Sequence, residues 1–439
     1  MKFFYRLLQG LLVTIMATLM ASCNKEDDIT PNPPKQKYDR TVLIYMCAEN
    51  SLGYYGNQRS DSTEIVKGTN SIKPNDRLLL YIDDQKNPRI YCIEGKKPTP
   101  TLVRKWEQNV CTSSKETLQD VLTWMKHYYP SEEYGLVMWS HANGWLPPHR
   151  ALAKNPATPS TLSWGLDVGD GGSLSSDKSS DGKMGIQMAV EDLATAIQQS
   201  GIHTKYIFFD ACLMQSLEVA YALRHATDYV IASPIRIAAD GANYTSQIKQ
   251  GLFSPVVEDI VTTYHADVTD PAQADYYSDF GVVFSCIRTA EMENLAHATR
   301  TALSLSGIYS ADSIPDLEGA QHYQTYSARY YYHPHQYDAR IAMKHLLPPA
   351  AFTIYDSALQ NAITHRMATP RFWSGPSYYS YIDVDLENYC GVAAFIPQQV
   401  YTQFAQQCQM GDLNDIFLDT EWSQAAGWHT SLLGSGTSK

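Results

Sequence analysis

At 439 residues, with 44% hydrophobic and 18% charged positions, the chain has the composition of a globular protein and the length for more than one core. A formal net charge of −12 argues against nucleic acid or an anionic surface as partner and favours basic ligands. Eight cysteines lack a CxxC pair or zinc-type spacing, so no metal cluster is expected from them.

In chain order, Lys2 and Arg6 precede an apolar run over residues 7–20 that is too short to span a bilayer, so residues 1–22 read as an export signal. Met20-Ala-Ser-Cys23 resembles a bacterial lipobox, with Cys23 as the lipidated first residue of the mature chain. The acidic stretch 24–28 is similar to the export tag of Bacteroidetes surface lipoproteins, and Pro31-Asn-Pro-Pro34 continues a stiff tether over residues 23–38. An outer-membrane lipoprotein facing the periplasm or the cell surface is expected. Loss of Lys2 and Arg6 takes the charge from −12 to −14. With Cys23 lipidated, seven cysteines remain, so at least one thiol is unpaired; Cys47, Cys286 and Cys390 read as buried and reduced.

Unbroken apolar runs at 41–47, 77–82, 136–139, 206–209, 229–232 and 281–285 predict strands buried on both faces. Between them, 60–67 reads as a helix. Ser113 to Glu116 has capping-box spacing ahead of a stripe of Leu118, Val121, Leu122 and Met125. Residues 146–185, rich in Pro, Gly, Ser and Asp, predict one long exposed loop. Ile186, Val190, Leu193, Ala194 and Ile197 mark a helix that Gly201 stops, and 213–223 a further one. Strands alternating with helices predict an α/β fold with a mostly parallel sheet in three layers.

Two of these strands end in chemistry. Residues 135–139 run into Ser140-His141-Ala142-Asn143-Gly144-Trp145, and residues 205–209 into Asp210-Ala211-Cys212-Leu213-Met214. Adjacent strands of a parallel sheet would bring His141 and Cys212 to one edge, a thiol beside a base. The 213–223 helix is expected to aim its N-terminus at the sulfur and favour thiolate.

The two words resemble those of the clostripain family of cysteine peptidases, usually Asn/Ser-His-Gly-x-Gly-Trp and Phe-Asp-Ala-Cys-Leu-Met. Weaker resemblance covers 43–50, with Glu49-Asn50, and 391–397 with Leu413 and Trp422. The resemblance implies a caspase-like αβα sandwich, placed over 39–300, and residues 301–439 read as a smaller C-terminal α/β unit. It implies a Cys212/His141 dyad, an oxyanion hole from the N–H groups of Ala142 and Cys212, and cleavage of proteins or peptides after Arg or Lys. Ala142 stands where the family has Gly, which restricts the dihedrals there. Asp210 matches the family position that reads the basic side chain, and Asp240 a further pocket position.

No cofactor is required. Some relatives need calcium, for which Asp167, Asp170, Asp177 and Asp181 offer oxygen. Arg150, Lys154, Lys178 and Lys183 are sites at which the family pattern would cut the loop. His333 and His335 among tyrosines read as packing. The departures at Ala142 and around Asp240 leave a second reading open, a catalytically impaired lipoprotein that binds glycans or host proteins.

Overall fold

Leu43, Tyr45 and Cys47 pack into one core while Val42, Ile44 and Met46 pack into another, so the strand Tyr38–Cys47 (β1) is buried on both faces, which is why its sequence does not alternate. The computed structural model describes residue 31 and residues 37–429, except 85, 96, 98, 147–163, 272–279, 309, 316, 318, 329–330, 375–380 and 409–410. The signal at 1–22, Cys23, most of the tether, Arg150 and Lys154 lie outside the described residues. Among those described, no helix is long and apolar enough to cross a membrane.

β1 belongs to a nine-stranded sheet with Asp76–Asp83 (β2), Arg89–Ile93 (β3), Thr101–Lys105 (β4), Ser131–Trp139 (β5), Tyr206–Asp210 (β8), Tyr229–Ala232 (β9), Val283–Arg288 (β10) and Ile363–Ala368 (β13). The order is β13-β10-β9-β8-β5-β1-β2-β3-β4. Pairing is parallel from β9 through β8, β5 and β1 to β2 and antiparallel beyond at both edges. β10 starts later than the expected 281–285 and runs against β9.

Ser51–Tyr55 (α1) and Asn57–Gly68 (α2) follow β1. One face of the sheet is covered by Lys115–Tyr128 (α3), Val190–Gln199 (α4), Leu217–Ala222 (α5) and Met292–Ser304 (α6), through residues such as Val121, Leu193, Val219 and Leu295. The other face packs on α2 and Asp259–Thr269 through Ile65, Ile260 and Val261. This is the αβα sandwich. From residue 301 on, the chain adds β13 to the main sheet and builds a small antiparallel sheet of His322–Ala328 (β11), Tyr331–Asp338 (β12) and Ala393–Ala394. His335 is buried there, and His333 lies edge-on to Tyr401, as expected of packing residues.

Several local expectations shift. The cap of α3 is Ser114, which accepts the N–H of Thr117, whereas the Ser113 hydroxyl turns to the carbonyl of Ile186, so the box from Ser113 does not form. The loop over 146–185 is not exposed throughout: Trp164–Asp167 (β6) is a buried strand paired with Ile186–Met188 (β7). Its Trp164 and Leu166 side chains leave water, and the Asp167 carboxylate caps the N–H of Thr112 at 2.6 Å. Ile186 lies in β7 and is exposed, so α4 begins only at Val190.

Candidate active site

β5 and β8 pair in parallel with Trp139 opposite Asp210, so two residues further on His141 and Cys212 leave the same edge of the sheet. From β1 the chain steps to β2 on one side and later to β5 on the other, and the crevice opens at the carboxyl ends where the order reverses. His141, Asp210 and Cys212 line one cleft of about 110 Å³ there, with Leu52, Ile237 and Gly241.

The backbone after Cys212 does not enter a helix. Leu213 takes a left-handed φ of 65°, rare for a branched side chain and costly without surrounding support. That support comes from the segment that follows β9: the Leu213 N–H donates to the carbonyl of Ile235 and the Gln215 N–H to that of Ser233. Helical hydrogen bonding begins only after Ser216, whose side chain accepts the N–H of Val219, so α5 starts at Leu217. The expected helix over 213–223, and its help in forming thiolate, are therefore corrected. Cys212 is half-buried, its Sγ 3.9 Å from the Ile237 carbonyl. Burial pushes its thiol up from the ordinary value, while a backbone hydrogen bond at Ile237 and the Arg236 guanidinium pull it back.

His141 lies beside α1. Its Nε2 is 2.8 Å from Ser51 Oγ and 3.8 Å from Asp177 Oδ2. Burial lowers the imidazole pKa and the Asp177 charge raises it. Ala142 is buried and bridges to Trp164 without a positive φ, so alanine in place of glycine carries no left-handed strain. Among the described residues, no backbone carbonyl takes the N–H of Ala142 or Cys212. Gly144 does need to be glycine: its φ is 67°, and a Cβ there would lie 2.5 Å from the Leu213 carbonyl oxygen. Asn50 ties the site together, donating to the carbonyls of Cys47 and Leu166 at 2.8 Å each.

Asp210 is buried and accepts the N–H of Ala242 and, at 2.8 Å, the hydroxyl of Tyr244. Burial pushes it up to about 6, against those hydrogen bonds. Asp240 is exposed and lines a larger cleft of about 330 Å³ that shares Ile237, Ala238 and Gly241 with the first. That cleft also holds Asp61, Glu64 and Asp267. Asp61 accepts the Trp139 indole N–H at 2.7 Å and is pushed up to about 9 by burial and by the Asp210 charge. Asp61 and Glu64 went unread in the sequence because an Asp and a Glu one turn apart on a helix look like a solvated face. Ser51 carried no signal beyond its place after Asn50.

Among the described residues, the four aspartates named for calcium do not form one group of converging oxygens. Asp177 binds Ser51, and Asp181 holds Lys183 and Ser179. Among the described residues, Glu49, Asp83 and Asp167 are the group whose oxygens come within 4.8 Å of one another. Asp83 is fully buried, with Oδ2 on the Thr112 hydroxyl and no partner for Oδ1. None of the seven described cysteines stands in a disulfide.

The sequence profile of the clostripain family matches residues 44–344. Clostripain of Hathewaya histolytica is 26% identical over 245 residues, which is 49% of this chain but only 43% of that protein. Among solved structures, a secreted C11 cysteine protease of Bacteroides thetaiotaomicron, bound to an irreversible peptide inhibitor, is similar with a TM-score of 0.69 and 25% identity over 89% of this chain and 99% of that one. An inactive zymogen C11 protease of Parabacteroides distasonis gives a TM-score of 0.68 and 25% identity over 90% and 99%.

Proposed function

Since the chain belongs to the clostripain family of cysteine peptidases, we propose that it is an exported, lipid-anchored endopeptidase with a Cys212/His141 dyad, cleaving after Arg or Lys. The observation that carries this reading is the convergence of Cys212 and His141 from adjacent parallel strands on one cleft. Desolvation alone disfavours a thiolate at Cys212, so its ionisation is coupled to protonation of His141. The thiol proton passes to the imidazole and the sulfur forms a bond to the scissile carbonyl carbon. The N–H groups of Ala142 and Cys212 hold the oxyanion. The imidazolium returns its proton to the leaving amine as the C–N bond breaks, and water then hydrolyses the thioester.

A guanidinium or ammonium entering beside Asp210 and Asp240 meets carboxylates already crowded and partly desolvated, Asp61 and Glu64 among them, and relieves their mutual repulsion. Fluorogenic peptides ending in Arg, Lys or Leu test this; equal cleavage of all three would sink the specificity. No cleavage of any, with no labelling by a thiol-reactive Arg probe, would leave the binding-protein reading instead.

Anchoring rests on Cys23: metabolic labelling with palmitate is expected in the parent protein and absent from Cys23→Ala. The related zymogen motivates processing in the 146–185 loop, where intact mass should show two chains for the parent and one for Cys212→Ala. The dyad chemistry itself requires no cofactor. Calcium, where it binds, is assigned a structural place at Glu49, Asp83 and Asp167, since these are hard oxygen donors and Asp83 Oδ1 lacks a partner.

A further inference from the structure

We infer that Ser51 and Asp177 are positioning residues for His141: the carboxylate holds the hydroxyl, and the hydroxyl holds the ring so that Nδ1 faces its task as the base. The inference rests on the dyad reading above and adds two residues that the family resemblance does not assign.

The hydrogen-bond directions follow from counting protons. Ser51 has one hydroxyl hydrogen, and it donates to Asp177 Oδ2 at 3.0 Å. Ser51 Oγ itself lies 2.8 Å from His141 Nε2, and with its hydrogen committed to Asp177 that contact requires Nε2 to be the donor. A neutral ring with its proton on Nε2 leaves Nδ1 bare, and Nδ1 is then the atom that takes the proton of Cys212 Sγ and later gives it to the leaving amine. When the ring becomes imidazolium, the Asp177 carboxylate 3.8 Å away is its stabilising charge, opposing the burial that disfavours a second proton.

Asp177 is held for this geometry. Its φ is 55°, its own N–H donates to the Leu174 carbonyl, and its carbonyl accepts the N–H of Gly185. Ser173, Lys178 and Met184 bridge around it, so the turn is pinned on both sides. The Ser51 N–H also donates to Asp177 Oδ1 at 2.7 Å, which makes the carboxylate bidentate on a single residue. Neither side chain is fully buried, with His141 33% and Asp177 23% exposed, so the ring gains order from this pair rather than from close packing alone. The segment after β6 is thereby part of the active site, although it reads in sequence as a solvated Gly/Asp loop.

The alternative is that Asp177 only caps α1. The test separates the two. In 15N-labelled Cys212→Ala protein, the His141 ring is expected as the Nε2–H tautomer. Asp177→Asn, which can still accept the Ser51 N–H, should make the ring titrate at lower pH. Ser51→Ala should weaken the tautomer preference, and Ser51→Thr should restore it. With the nucleophile present, Asp177→Asn and Ser51→Ala should each lower kcat by about tenfold with KM within about twofold, a positioning loss rather than a binding loss. A ring in the Nδ1–H tautomer, or one whose titration is the same in Asp177→Asn, overturns the inference, as does an unchanged kcat accompanied only by a lower Tm. If the parent protein cleaves no peptide, the dyad reading fails by that result, and the NMR measurement still decides the Ser51–Asp177 geometry.

Discussion

Asp61 and Asp83 are both buried, and burial pushes both up to about 9, yet the two carboxylates sit in different company. Asp61 lines an open cleft with Glu64, Asp240 and Asp267 that shares its wall with the cleft of Cys212. Asp83 packs among Thr112, Asp167 and Glu49 at the carboxyl end of β2, where the burial of Asp167 raises its carboxyl too and Glu49 is pushed up to about 7. Under the proposed specificity, the same desolvation prepares one group to receive a cation carried by a substrate. It leaves the other to be neutralised by protons or by a bound ion. What separates the two groups is the open cleft beside Asp61 and the closed packing around Asp83, not carboxylate count.

The largest expected effect breaks the open group. Asp210→Asn keeps an oxygen for the Ala242 N–H and the Tyr244 hydroxyl but removes the buried carboxylate two residues before Cys212. The Arg-to-Leu ratio of kcat/KM is expected to fall by about 100-fold, the scale at which a buried charged partner is lost. A ratio unchanged in Asp210→Asn and in Asp240→Asn would remove both residues from substrate reading.

A smaller effect comes from the loop that holds Asp210. Gly241 has φ 60°, and a Cβ there would lie 2.7 Å from both Asp210 oxygens. Gly241→Ala should displace that carboxylate and cost about tenfold in kcat/KM for Arg substrates, while Leu substrates suffer less. Equal losses for both would place the damage at the dyad, not at the reader of the side chain.

What the sequence disclosed divides along the same line. Strands buried on both faces announce themselves by unbroken apolar runs, so β1, β2, β5, β8 and β9 were legible, and with them the meeting of His141 and Cys212. The helix over 213–223 was misread because apolar spacing is blind to φ: Leu213 keeps the spacing while its left-handed backbone breaks the helix. β6 was hidden since a four-residue strand between Gly/Ser-rich stretches has no period to detect. Glu49, Asp83 and Asp167 stand far apart along the chain and become one group only through the packing of β1, β2 and β6. Ser51 and Asp177 likewise meet across 126 residues.

The smallest effect is thermodynamic and probes the closed group. Asp83 rises from 3.8 to about 9 on folding, so between those values the folded state holds a proton that the unfolded state has lost. Stability is then fully present below the unfolded pKa and falls as pH rises toward 9. In chelator, Tm of the parent should drop between pH 5 and 9, and Asp83→Asn, with no proton to lose at that position, should flatten part of the slope by about 2–4 °C. Calcium binds the ionised carboxylates, so it should raise Tm most at the alkaline end, where the protons have left. A slope identical in parent and Asp83→Asn, together with no calcium response at pH 8, would make Glu49, Asp83 and Asp167 a proton-sharing structural knot and not an ion site. A calcium response that survives Asp83→Asn undiminished would move the ion elsewhere. A response lost in that variant, with Arg cleavage still governed by Asp210, would establish that the two carboxylate groups answer to different cations.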